Sequence, residues 1–208
     1  MLTKNQIRIL NVFIEDVFEE LTFKQVKEKS GQKSNNITLL ALREFKKDNL
    51  VNTKKTGNIT TYSLNLKNNL TLSYLNLIND IEMNEIKALP KRIMRELQVR
   101  ISKHSDFFIL LIFGSYAKGK ATKKSDLDIA VIVENENSGK EIITYIETVK
   151  RREIIKIDYH VFTEKEFLDM LKTEQENVGK EIYRGSLIYY GLIAYLNLIR
   201  RIKNGSGI

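Results

Sequence analysis

The chain has 208 residues, which is enough for one large domain or two small ones. It contains no cysteine, so disulfides and thiolate metal sites are excluded and we expect a cytoplasmic protein. No stretch approaches the roughly 20 apolar residues of a membrane-spanning helix, and the start lacks the apolar core of a signal peptide. The formal net charge of +8 favours polyanionic partners, although solubility alone explains such a charge equally well.

Three helices are predicted in the first part of the chain. Apolar residues recur at helical spacing over 4–20. Thr22 is placed to cap a short second helix, and Ser34 or Asn35 to cap a third helix that runs through Lys47. The buried stripe of this third helix is predicted to consist of Ile37, Leu40, Ala41, Leu42 and Phe45.

A β-hairpin is predicted after the third helix, because two β-prone runs flank Gly57-Asn58. Three helices followed by a hairpin resemble a winged helix-turn-helix domain, which we place at residues 1–66. The resemblance implies a DNA-binding third helix and wing, with contacts from Ser34, Asn35, Asn36, Thr38, Arg43, Lys54 and Lys55. Winged helices also dock proteins, so DNA, RNA and protein remain alternative partners for this domain.

The rest of the chain is predicted to alternate helices with strands. A linker helix occupies residues 67–89, and Pro90 stands in the first turn of a strongly basic helix that ends near residue 103. Strands are predicted at 107–113, 126–133 and 154–162, and further helices at 139–151, from Thr163, and at 176–203. This order predicts an α+β fold, in which a small mixed sheet carries helices on one face.

The turn after the first of these strands is predicted to bind phosphate. Gly114 lets backbone amides approach an anion closely, and the hydroxyl of Ser115 adds a donor. The loop that follows carries four lysines, which make an electropositive approach: Lys118, Lys120, Lys123 and Lys124. Loop solubility is an equal alternative for Lys118 and Lys120.

Three aspartates are candidate metal ligands. Asp126 and Asp128 are two residues apart on a predicted strand, so both side chains point to the same face. Adjacent carboxylates repel each other unless a cation is present, and Mg²⁺ prefers carboxylate and phosphate oxygens. Asp158 lies in an apolar strand, where it is poorly placed without a ligand, so it is a candidate third ligand and general base. The alternative for Asp158 is an ion pair with Lys156.

The sequence Gly114-Ser115, ten further residues and Asp126-Leu127-Asp128, with Asp158 downstream, resembles the polymerase-β-like nucleotidyltransferases, in particular the minimal nucleotidyltransferases. The similarity covers about residues 90–195, and we assign 90–208 to this domain. It implies Mg²⁺-dependent transfer of a nucleoside monophosphate, chiefly AMP from ATP. It also implies that two Mg²⁺ ions bind the three catalytic aspartates, and that Gly114, Ser115, Lys118 and Ser125 bind the nucleotide. Lys118 stands where many relatives carry arginine, which keeps the charge but loses the bidentate fork.

The resemblance leaves the acceptor of the nucleotide open. A HEPN-type toxin, as in a toxin–antitoxin pair, another protein, a nucleic-acid 3′ end and a small molecule are all compatible with it, and so is a homodimer. The alternative from another functional class is a DNA-binding transcriptional regulator, in which the transferase domain senses a nucleotide or serves as a scaffold.

Overall fold

The computed structural model describes residues 1–14 and 17–205. By its internal contacts the chain divides into two compact units, Met1–Ile81 and Glu82–Ile208. None of the helices in the described ranges is both long enough and apolar enough to cross a membrane.

The first unit contains helices and one small sheet. Its elements are α1 (Lys4–Asn11), β1 (Leu21–Thr22), α2 (Phe23–Lys29), α3 (Asn35–Lys47), β2 (Val51–Thr56) and β3 (Ile59–Leu64), and α4 (Asn69–Glu85) contains the boundary to the second unit. The sheet order is β1-β3-β2, with antiparallel pairs. The predicted caps are confirmed, because Thr22 Oγ1 accepts from the amide of Gln25 and Ser34 Oγ accepts from that of Ile37. The hairpin is confirmed too, and its Gly57 has φ +60°.

The first helix is shorter than predicted. It ends at Asn11 rather than residue 20, because the amides of Phe13 and Ile14 bond to carbonyls only three residues back. Residues 15 and 16 of the predicted helix lie outside the described ranges. Leu21 then pairs with Tyr62 in the short strand β1, which was not predicted.

The buried stripe of α3 is also shifted from the prediction. The buried residues are Thr38, Ala41, Leu42 and Phe45, whereas Ile37 and Leu40 are 37% and 58% exposed. Thr38 is 0% exposed and its hydroxyl donates to the carbonyl of Ser34, so the prediction that Thr38 contacts DNA is wrong. Positions i, i+3, i+4 and i+7 from Thr38 form one helical face, and the threonine belongs to it despite its hydroxyl.

The second unit is built on a four-stranded sheet. Its elements are α5 (Lys91–Ile101), β4 (Phe108–Ile112), α6 (Gly114–Ala117), β5 (Leu127–Val133), α7 (Glu136–Lys150), β6 (Ile157–Thr163), α8 (Glu164–Lys172), α9 (Val178–Gly185), β7 (Leu187–Tyr190) and α10 (Leu192–Gly205). The strand order is β6-β5-β4-β7. Only the β5–β6 pair is parallel, so the predicted mixed sheet is confirmed.

Helices cover both faces of this sheet, and the prediction of one covered face is wrong. On one face, strand residues such as Ile129 share a core with Leu97 of α5 and Ile146 of α7. On the other face, Phe162 contacts Phe167 of α8, which in turn contacts Tyr195 of α10. All five residues of β4 are buried, so this strand must be covered on both sides.

The predicted helix over 176–203 is wrong, because a strand divides it. Helix α9 ends at Gly185, β7 pairs antiparallel with β4, and α10 follows. Gly191, between β7 and α10, has φ +84°, and a Cβ atom there would lie 2.8 Å from the carbonyl oxygen of Phe108. The two glycines that flank Leu187–Tyr190 mark the ends of the strand.

Candidate active site

The turn after β4 and the start of β5 are joined through Asp128. The amide of Phe113 donates to the main-chain oxygen of Asp128 over 3.0 Å. The amide of Ser115 donates to the Asp128 carboxylate. The structure therefore brings together the predicted phosphate-binding turn and the second predicted carboxylate.

Gly114 is required at this turn for two independent reasons. Its φ of +67° lies in the left-handed region that side chains rarely adopt. In addition, a Cβ atom on Gly114 would lie 2.0 Å from Oδ2 of Asp128. The carboxylate thus occupies the space that any larger residue would need.

The predicted carboxylates form a negatively charged group. Asp128 of β5 is the register partner of Asp158 on β6, and Asp126 precedes β5 by one residue. Burial raises the pKa of Asp128 above its ordinary value, and the negative charges of Asp158, Asp126 and Glu181 raise it further, against the lowering effect of the Ser115 amide. Folding therefore places mutually repelling carboxylates together, a donor set whose chemistry fits a divalent cation.

The carboxylates do not form a ready-made cage. Within residues 1–14 and 17–205, no three histidine, aspartate or glutamate side chains converge as a metal-binding group. Asp126 is instead neutralised by Lys156, whose Nζ lies 2.6 Å from its Oδ2. The hydrogen bond with Asp126 is the main cause that raises the pKa of Lys156. The ammonium group of Lys156 therefore already balances the charge of one candidate ligand, Asp126.

The alternative for Asp158, an ion pair with Lys156, is not the pairing that the structure shows. Lys156 pairs with Asp126 and not with Asp158, because the parallel register sets Leu127 opposite Ile157 and the amide of Leu127 donates to the carbonyl of Lys156. The signal was present: once the two strands are aligned as parallel neighbours, the residue before Leu127 faces the residue before Ile157.

Asp158 lies near the beginning of its strand, and not in the middle as predicted. Strand β6 starts at Ile157, so Asp158 is its second residue and is exposed. One of its oxygens, Oδ1, accepts from the amide of Tyr159 over 3.0 Å. The argument that burial forces Asp158 to have a ligand is therefore wrong, and its candidacy rests on its position beside Asp128.

The remaining predicted residues lie in the loop and cleft next to the turn. Lys118 pairs with Glu181 of α9 over 3.1 Å, at a cleft of about 520 Å³ that is also lined by Glu176, Asn177, Arg184 and Gly185. The hydroxyl of Ser125 accepts from the amide of Thr122 over 2.9 Å and so shapes the loop itself. Glu181 was not among the site residues predicted from the sequence. Its negative charge contributes to the raised pKa of Asp128, so it connects this cleft electrostatically to the carboxylates.

The clash at Gly114 predicts a stability difference between two glycine variants. Gly119, in the same loop, has φ +64°, and no atom lies within 4 Å of the position that a Cβ atom would take there. We expect Gly119→Ala to cost about 1–2 kcal/mol of unfolding free energy, because alanine must adopt the left-handed conformation. Gly114→Ala should cost about 1 kcal/mol more, because Asp128 also loses its hydrogen bond to Ser115. Urea unfolding measures both, and equal losses would contradict the clash.

The raised pKa of Asp128 predicts that its charge destabilises the fold. A raised folded-state pKa means that ionisation of the carboxyl disfavours folding, and this cost is absent below its ordinary value of 3.8. We expect Asp128→Asn to raise the melting temperature at pH 7 in EDTA, with the gain shrinking as the pH falls through the carboxyl range. The control is Asp169→Asn, which removes an exposed aspartate paired with Lys172 and should give no gain.

Comparison with known proteins agrees with this geometry. The family model described as a nucleotidyltransferase domain matches residues 91–182. This range contains the turn at Gly114, the carboxylates Asp126, Asp128 and Asp158, and Lys156. No curated protein matches the chain. The match supports the nucleotidyltransferase superfamily for this region of the chain, and with it a general nucleotidyl-transfer activity.

Proposed function

We propose that the second unit transfers a nucleoside monophosphate from a nucleoside triphosphate, ATP in the first instance, to a hydroxyl of an acceptor. The observation that carries the proposal is the contact between the Gly114–Ser115 turn and the carboxylate of Asp128. It supports the proposal because a glycine turn that could accept a phosphate lies beside carboxylates whose mutual repulsion a divalent cation would relieve. In the reaction, the bond from the acceptor oxygen to the α-phosphorus forms, the bond to the β-phosphate breaks, and pyrophosphate leaves.

In the proposed reaction each residue of the site has a separate role. The amide of Ser115 donates a hydrogen bond to Asp128 and is therefore not free for the substrate. In the proposed reaction it is the hydroxyl of Ser115 that orients the triphosphate. Lys118 is 51% exposed in its side chain and can exchange Glu181 for a phosphate oxygen. Asp158, exposed beside Asp128, accepts the proton of the acceptor hydroxyl.

Asp126, Asp128 and Asp158 would hold Mg²⁺. When bound, two ions supply charge stabilisation to the transferred phosphoryl group and to both the attacking and leaving oxygens. Asp126 becomes available for this role when it releases Lys156. The lysine can turn away, because its side chain is 70% exposed.

The proposal predicts that pyrophosphate release depends on the carboxylate pair. We expect the double variant Asp126→Asn, Asp128→Asn to lose at least about 100-fold in Mg²⁺-dependent pyrophosphate release, because metal stabilisation of the transition state contributes several kcal/mol. The assay supplies each labelled nucleoside triphosphate with a cell extract and also identifies the labelled acceptor. The control is Asp106→Asn, which removes an exposed aspartate before β4. Undiminished release by the double variant would falsify the mechanism.

The ion pair between Lys156 and Asp126 predicts competition with the metal. We expect Lys156→Met to strengthen the binding of Mg²⁺ or Mn²⁺ several-fold, since the ammonium no longer competes for the Asp126 carboxylate. Titration of the metal against melting temperature, without nucleotide, measures this. The matched control is Lys124→Met, which removes the same charge two residues before Asp126 without breaking an ion pair among the described residues. If both variants change affinity equally, the direct contact has no special effect.

We also propose that the first unit is a winged helix. Its order of helix, strand, helix, helix and hairpin, and its β1-β3-β2 sheet, support this assignment. Asn35, Asn36 and Arg43 of α3 are exposed and Lys55 is exposed on the hairpin, which suits DNA. Lys54 is partly neutralised by Glu20 at 3.7 Å.

These surfaces keep the regulator alternative open. If no nucleoside triphosphate yields pyrophosphate while one DNA site binds tightly, the chain is a DNA-binding regulator with a nucleotide-sensing or scaffold domain. If pyrophosphate is released, the labelled species decides among the proposed acceptors: a HEPN-type toxin partner, another protein, a nucleic-acid 3′ end or a small molecule.

A further inference from the structure

The outer face of α5 is basic along its whole length. The inner face is fixed by burial of Ile93, Met94, Leu97 and Ile101, all at most 2% exposed. This burial turns the other residues outward, and they include Lys91, Arg92, Arg95 and Arg100, with Lys103 in the turn that follows. We call these five cations the α5 basic face.

The acids near the α5 basic face are already used in ion pairs. Glu96 is shared by Arg92 at 3.7 Å and Arg100 at 2.9 Å, and Arg92 also pairs with Glu153, whose side chain is 8% exposed. Within the described part of the chain, neither Arg95 nor Lys103 has an ion-pair partner. Five cations against two carboxylates leave a net positive surface that is open to an anionic ligand.

An aromatic pair stands at one end of this face. His104 stacks on Tyr145 of α7, with ring centres 4.3 Å apart and planes 17° apart. The two rings and Lys103 line a cleft of about 370 Å³, together with Glu96, Val99 and Arg100. Aromatic rings beside a row of cations are typical of single-stranded nucleic-acid sites, where bases stack on the rings. A face that serves only solubility needs no such aromatic pair.

The opposite end of the α5 basic face lies near the start of β6. Helices α5 and α7 run side by side in opposite directions, with His104 against Tyr145 at one end and Arg92 against Glu153 at the other. Glu153 leads into β6, whose second residue is Asp158. Helix α5 rises about 15 Å from Lys91 to Ile101, so a strand along it would run from the aromatic pair toward the start of β6. Asp158 stands at this end of β6, on the sheet face opposite to the one that α5 covers.

We propose that the α5 basic face binds the phosphate backbone of a single-stranded nucleic acid, with one base against His104 and Tyr145. The use of this strand as the acceptor, through its 3′ hydroxyl, rests on the proposed transferase function, whereas binding of the strand does not. Nucleic acid is favoured over an acidic protein because the rings offer a stacking surface and the cations form a row that matches a regularly charged polymer.

The test measures binding of a fluorescein-labelled single-stranded RNA of about 15 nucleotides to the full chain, by anisotropy in EDTA. We expect Arg95→Glu with Lys103→Glu to weaken binding at least tenfold and to reduce the slope of log affinity against log salt by about 1.4, for two lost phosphate contacts. The matched control, Lys165→Glu with Lys172→Glu on α8, makes the same change in net charge and should leave affinity within about twofold. His104→Ala should weaken binding about fivefold with an unchanged salt slope.

Three results would overturn the proposal. The first is equal weakening by the α5 and α8 variants, which would show only net charge. The second is full loss of binding by Arg43→Glu on α3 with no effect of the α5 variant. The third is displacement of the RNA by polyglutamate as readily as by unlabelled RNA, which would indicate an acidic protein partner.

Pyrophosphate release is measured in parallel on the same variants. RNA binding through α5 without pyrophosphate release would support the proposed binding face and contradict the proposed transferase function. Pyrophosphate release without RNA binding does the reverse, so the two failures are separable.

Discussion

The candidate site depends on one steric constraint, the absence of a side chain at Gly114. The Asp128 carboxylate occupies the space that a Cβ atom at this position would need, and the neighbouring Ser115 amide holds it there. Main-chain pairing between Phe113 and Asp128 then fixes the turn against β5. A carboxylate is thus kept within one hydrogen bond of a turn suited to phosphate, although the carboxylate and a phosphate repel each other. A cation between them would resolve that conflict, and this is the physical reason for which we propose phosphate chemistry at the site.

Charge balance explains how the fold tolerates this cluster before a metal binds. Desolvation and three neighbouring acids oppose the charge of Asp128, and only the Ser115 amide favours it. The negative charge of Asp126 is instead balanced by the ammonium group of Lys156. The exposed pair contributes little to stability, since solvent screens the attraction between surface charges and ordering two long side chains costs entropy. Because the pair contributes little, Asp126 can release Lys156 at a small cost in free energy, whereas breaking a deeply buried ion pair would be strongly destabilising.

The sequence predicted the parts of the fold that depend on local chemistry. The caps at Thr22 and Ser34, the Gly57 hairpin and the glycine–serine turn each follow from residue types that are strongly preferred in that local geometry. Strand β7 was missed because it is short, and because its partner β4 lies far away in sequence. The second covered sheet face was missed for a related reason: an apolar strand shows that it is buried, but not which helices bury it.

Long-range pairs separate what sequence can predict from what requires the structure. The spacing of Asp126 and Asp128 is local, whereas the pairing of Asp126 with Lys156 needs the parallel register of β5 and β6. The same holds for α5. Its cations are visible in the sequence, but a basic helix by itself fits a solvated surface. The stack of His104 on Tyr145, 41 positions later in the chain, depends on how α5 and α7 pack. The inner apolar residues of α5 therefore do more than fill the core: by fixing the rotation of the helix, they place its cations and the aromatic pair on one continuous surface.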